Sequence, residues 1–139
     1  MRISATGALQ PAPAITRLKP LRLASVDAYE AVFEMLAERG LYVAARAMLC
    51  VHYRAPKRVT TMRHLAAAVL HVSDHRRANF VYGQFAARVR RECDLARPRF
   101  EIWVLGTWPE PPVDDLGEFA FRLRPEVARA VERLGWVTA

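Results

Sequence analysis

A mostly helical α+β domain is what this sequence predicts, from two patterns. Over Val59 to Cys93 (VTTMRHLAAAVLHVSDHRRANFVYGQFAARVRREC), apolar residues recur twice at the spacing of one helical face, with a short polar break between. Further on, two runs rich in aromatic and β-branched residues, FEIWVL and EFAFRL, flank a loop dense in Pro, Gly and Asp. At 139 residues and 53% hydrophobic, the chain has enough material for one core and too little for two ordinary domains.

Residues 1–24 hold Pro11, Pro13 and Pro20, four basic side chains and no acid. They lack the apolar run of a signal peptide and read as a flexible basic arm, either a terminus with no role or one that lies along phosphates. Residues 25–139 read as a single domain. Ser25 suits a helix cap, Tyr29, Val32, Phe33 and Leu36 form an inward stripe, and Gly40 sits where glycine commonly ends a helix. A second helix is expected over Leu41 to Tyr53, with Ala44, Ala47, Met48 and Val51 facing inward, until Arg54-Ala55-Pro56-Lys57-Arg58 breaks it.

The third helix is expected from Thr60 to Val69, with Met62, Leu65, Ala66 and Val69 on one face. The next helix opens after Val72-Ser73-Asp74, where Ser73 can cap and Asp74 suits the positive end of the helix dipole. Its inward stripe is Ala78, Val81, Tyr82, Phe85 and Val89, which leaves Arg76, Arg77, Asn79, Gln84, Arg88 and Arg91 off the core. Phe100 to Leu105 and Glu118 to Leu123 then predict two strands of a hairpin. Pro125 suits the first turn of a last helix, whose stripe is Val127, Val131 and Leu134 and whose stop is Gly135, with Trp136 and Val137 folding back onto the core. The order is helix, helix, bracing helix, basic helix, hairpin, helix: a winged helix-turn-helix with additional N-terminal and C-terminal helices and one β-hairpin.

The formal charge is +7, and its location matters more than its size. Residues 54–99 carry 11 basic groups against Asp74, Glu92 and Asp94, so the excess lies beside the paired helices. A basic excess confined to one element is the footprint of a polyanion-binding surface. The alternative is a solvated helix whose arginines pair with those three acids. Cys50 and Cys93 fall among apolar neighbours and read as free thiols, with a disulfide between them left open. No apolar run approaches the roughly 20 residues that cross a bilayer, and the chain reads as soluble and cytoplasmic.

Through LAAAVLHVS and the hairpin after it, residues 59–123 resemble the winged helix-turn-helix superfamily. More loosely, RRANFVYGQFAARV and LRPEVARAVERLGWV are similar to segments of bacterial domains that stand alone or are attached to HNH-type nucleases. The resemblance implies a small bacterial DNA-binding protein, regulatory or linked to mobile elements, with a homodimer reading two half-sites as one arrangement. In one respect the chain departs from the pattern. The wing carries Glu110, Asp114 and Asp115 and no Lys or Arg, so it either stays clear of a duplex or serves another partner.

On this reading His75, Arg76, Arg77 and Asn79 face the bases, because arginine can fork onto guanine and asparagine onto adenine. Lys57, Arg58, Arg63, Arg88 and Arg91 are the phosphate anchors, and Gln84 lies on the same polar side. Phe80 or Tyr82 can stack on a base if exposed, or both belong to the core. No spacing for a metal site, glycine-rich phosphate loop or nucleophile elbow is present, so neither a cofactor nor an enzyme is expected. A second function class is a protein-interaction module, such as an inhibitor, immunity protein or adaptor, that sets the basic face against an acidic partner.

Overall fold

The computed structural model describes residues 23–109, 112–114 and 116–138. Among them are five α-helices and a small antiparallel sheet of three strands. The arm expected over residues 1–24 lies outside the described residues up to position 22, as do Glu110 and Asp115 of the hairpin loop; Ala24 packs against the core.

Helix α1, Val26–Glu38, begins as its sequence requires: the Ser25 hydroxyl accepts the Ala28 N–H at 3.1 Å. Tyr29, Phe33 and Leu36 are its buried face, and the chain turns at Gly40. Helix α2, Val43–Arg54, buries Ala45, Met48, Leu49, His52 and Tyr53. The expected inward set was one step off around the helix, since Ala47 is exposed and Ala44 and Val51 only half-buried. Here α2 packs against both α4 and α5, so a wider arc than one stripe is covered.

A 3-10 turn, Pro56–Arg58, then leads into β1, Val59–Thr61, a strand the sequence did not predict. The bracing helix α3, Met62–Leu65, therefore starts two residues later than expected, capped by the Thr61 hydroxyl, and continues through a wider turn over Ala66–Leu70. Leu65 and Ala66 are buried, and Met62 and Val69 pack at the edge of the core. His71 takes a left-handed conformation at the turn. Asp74, not Ser73, caps α4, its carboxylate accepting the Arg76 N–H at 3.0 Å.

Helix α4, His75–Glu92, is the longest in the fold and buries Ala78, Tyr82, Phe85, Ala86 and Val89. Each large apolar side chain sealed there contributes on the order of 1.5–3 kcal/mol. Phe100 to Leu105, predicted as a strand, is instead a 3-10 turn over Glu101–Val104. Tertiary bonds hold that turn in place: the Tyr29 hydroxyl donates to the Val104 carbonyl at 2.7 Å, and Arg124 Nε donates to that of Trp103 at 2.6 Å. The strand proper, β2, is confined to Gly106–Thr107 and pairs with β3, Ala120–Leu123. Gly106 has no substitute here, because a Cβ would meet the Arg122 carbonyl oxygen at 2.7 Å and the Phe121 ring at 2.8 Å.

Strand β3 lies in the middle, with β1 on its other edge in the register Thr60 to Phe121. Helix α5, Pro125–Arg133, packs along α1 and buries Val127, Ala128, Ala130 and Val131. Gly135, at φ +71, reverses the chain so that Trp136 stacks on Phe33 at 6.0 Å and Val137 is buried.

One polar group sits in the middle of this core. His52 is fully buried, with Nδ1 3.1 Å from the Tyr82 hydroxyl and Nε2 3.1 Å from the Phe121 carbonyl. A carbonyl only accepts, so Nε2 carries the proton and Nδ1 accepts from Tyr82. The neutral imidazole thus ties α2 to α4 and to β3 at once. Burial pushes its pKa down to about 4, against the smaller opposing effect of the bond to Phe121.

Candidate functional site

The polar side of α4 is built by default: once Ala78, Tyr82, Phe85, Ala86 and Val89 point inward, the residues on the opposite side of the helix face solvent. Arg77, Gln84 and Arg91 recur every seventh position and are all exposed, forming one stripe along the helix. With a rise of 1.5 Å per residue, its ends stand about 21 Å apart. Phe80 lies on the same side and is 66% exposed, whereas Tyr82 is fully buried.

The five arginines of α4 fall into different classes. Arg76 is bound by its own cap, with Nε and Nη2 at 3.0 and 3.1 Å from the Asp74 carboxylate. That pairing holds the Asp74 carboxyl below the usual carboxylate range. Arg88 pairs with Glu92 one turn on at 2.8 Å, and Arg90 with Glu101 at 2.8 Å in a less exposed setting. Arg77 and Arg91 make no ion pair with any described residue. The alternative reading, in which these arginines pair with nearby acids, therefore holds for Arg76 and Arg88 but not for Arg77.

The other expected phosphate anchors are divided in the same way. Lys57 is exposed at the end of α2, in a left-handed conformation that turns the basic loop outward. Arg58 turns the other way: it donates to the Tyr53 carbonyl at 2.7 Å and lies over the Tyr53 ring at 3.7 Å, with Glu132 at 3.9 Å. Arg63 is paired with Glu118 of the hairpin loop. Exposed cations without an ion pair to a described residue thus include Lys57, Arg77 and Arg91.

His75 and Asn79, placed with Arg76 and Arg77 by the sequence, sit around the helix from them. They line a groove of about 680 Å³ between the start of α4, the Phe100 turn and the hairpin. Its lining mixes polar side chains with the aromatic rings of Phe100, Trp108, Phe119 and Phe121. Trp108 rests on the hairpin, 5.8 Å from Phe119 and 6.5 Å from Phe121, and is still 40% exposed. The sequence did not announce this groove because its walls come from five separated stretches. The available signal was the density of Phe and Trp flanking a proline-rich loop.

Cys50 and Cys93 are free thiols, half-buried, with pKa values raised chiefly by burial. Among the described residues no three His, Cys, Asp or Glu side chains converge as a metal cage, and no helix is long and apolar enough to cross a membrane. Comparison with family models, with curated proteins and with solved structures finds no match to this chain.

Proposed function

We propose that this chain binds nucleic acid, most simply double-stranded DNA, with the outward side of α4 as the reading surface of a winged helix-turn-helix. The observation that carries the reading is the stripe of Arg77, Gln84 and Arg91: cationic at both ends, exposed, without carboxylate partners among the described residues, and set on a helix whose opposite side is sealed in the core. An α-helix fits the major groove of a duplex, where arginine forks onto guanine and glutamine onto adenine. Lys57, exposed in the turn before the bracing helix, would supply a further phosphate contact if the duplex reaches it.

The strand order supports the winged arrangement. Strand β1 immediately precedes the bracing helix and pairs with β3, and β2 and β3 form the hairpin after α4, so the wing is anchored to the paired helices through one sheet. His52 strengthens that anchoring by bonding both Tyr82 of α4 and the backbone of Phe121 in β3. The role that follows is regulatory or linked to mobile elements, in the cytoplasm.

A second reading, a protein-interaction module that engages an acidic partner, draws on the hairpin. Asp114 and Glu118 stand there beside exposed Leu116 and Phe119, a surface unlike a phosphate-binding wing. The double variant Arg77→Glu/Arg91→Glu separates the two. On the DNA reading its affinity for a short duplex falls about a hundredfold or more, and the log–log salt slope flattens by about two units. The variant should melt with the wild type, because neither residue has an ion-pair partner among the described residues to lose. Unchanged duplex affinity in a folded variant would overturn the assigned surface.

A further inference from the structure

We propose that the aromatic groove beside α4 holds an unpaired nucleotide of a nucleic-acid strand, its base against the rings and its phosphate at Arg99. The inference rests on the nucleic-acid reading above and adds a second site to it. Phe100, Trp108 and Phe119 all line the groove and all remain exposed, Phe119 at 66%. Large apolar groups left in water at one place mark a contact surface.

The polar members of the groove decide what kind of occupant fits. His75 and Asn79 line it, both are exposed, and neither side chain makes a hydrogen bond to another described residue. An aliphatic side chain seated there would cover an amide and an imidazole without satisfying them, at a cost in free energy. A nucleobase has a π-face for the rings and a hydrogen-bonding edge for Asn79 and His75. The volume of about 680 Å³ lies within the range of ligand-holding clefts, about 300–1,000 Å³.

Charge favours a phosphate-bearing occupant. Arg99 stands at the groove with its guanidinium 5.4 Å from the Phe100 ring and no ion pair with a described residue. Glu118, the carboxylate of the lining, is neutralised by Arg63, which lines the groove beside it. Arg99 is therefore the uncompensated charge of a lining that also presents aromatic rings, the combination found in stacking platforms that take single strands. A groove of this kind next to a duplex-reading helix suits DNA in which one base is unpaired or extruded.

The test uses the full chain with a twelve-nucleotide oligothymidylate, a blunt duplex of the same length and thymidine monophosphate, followed by tryptophan fluorescence and anisotropy. The expected result is binding of the oligomer with quenching of tryptophan emission. Phe119→Ala and Trp108→Ala each weaken that binding about tenfold or more, and Phe119→Ala leaves duplex affinity within about twofold. Phe119 is so exposed that its variant should keep the wild-type melting temperature, which separates loss of the site from loss of the fold.

Duplex binding without oligomer binding would overturn the groove assignment and leave the α4 reading intact. Oligomer binding indifferent to Phe119→Ala would also overturn it. Failure of both ligands would overturn both proposals. Equal affinity for the mononucleotide would contradict a strand as the occupant, and a dimer that Phe119→Ala dissociates would give the groove to a second copy of the chain.

Discussion

The two sides of α4 carry opposite chemistry on one helix. Inward, Tyr82 and Phe85 are sealed among rings from α1, α2 and β3, and the polar tip of Tyr82 is satisfied by His52. Outward, Arg77 and Arg91 stand in water with no carboxylate partner among the described residues, while Arg76, Arg88 and Arg90 at the flanks are tied to Asp74, Glu92 and Glu101. Counting arginines therefore overstates the charge available to a ligand. An arginine that already has an acceptor fixes geometry, and one without an acceptor can recruit a phosphate.

Substitutions on each side should break different properties. The largest effect belongs inward: Phe85→Ala should cost about 3–5 kcal/mol, the usual range for removing a buried ring, read by urea denaturation. A loss under about 1 kcal/mol would mean that this side of α4 does not hold the core together.

Acid should loosen the same side next. His52 titrates near 4 when folded and near 6.5 when unfolded, so the unfolded chain binds the extra proton. Stability is then complete above about pH 6.5 and falls as the pH drops towards 4, by about 2 kcal/mol between pH 6.5 and 5, before most carboxylates respond. Equal unfolding free energies at pH 7 and pH 5 would contradict a buried, neutral imidazole.

At the flank, Arg90→Gln removes the clamp on Glu101 and should cost about 1 kcal/mol, between the value of an exposed pair and that of a buried one, with duplex affinity unchanged. A loss of affinity without a loss of stability would move Arg90 to the outward set. The smallest effect is expected at the cap. Asp74→Ala removes the side-chain acceptor for the Arg76 N–H and should lower the melting temperature by a few degrees. It also frees Arg76 and removes an anion beside the proposed reading surface, so duplex affinity should rise several-fold in an anisotropy titration.

Much of the helical scaffold was legible in the sequence because helix signals are local. Ser25, Pro125 and Gly135 mark the ends they were expected to mark, and the inward stripe of α4 follows from spacing at Ala78, Tyr82, Phe85 and Val89, with Val81 only half-buried and Ala86 buried in addition. The sheet was less legible. Val59–Thr61 becomes a strand through partners about 60 residues away, and no local pattern in three residues announces that. FEIWVL has the composition of a strand, yet Tyr29, Arg90 and Arg124 reach into it and hold a 3-10 turn, a tertiary outcome that propensity does not contain.

The candidate site divides the same way. The pairs Asp74–Arg76 and Arg88–Glu92 could be read from their spacing, whereas those between Arg90 and Glu101 and between Arg63 and Glu118 join separate elements. The groove needed folding to bring Asn79, Phe100 and Phe119 together.

The most direct test of the central claim is a titration of the purified chain against a short fluorescent random-sequence duplex at low and at near-physiological salt. A nucleic-acid surface on α4 predicts roughly micromolar binding at low salt that weakens steeply as salt rises. Absence of binding at low salt would contradict it and direct attention to an acidic protein partner for the same side of the helix.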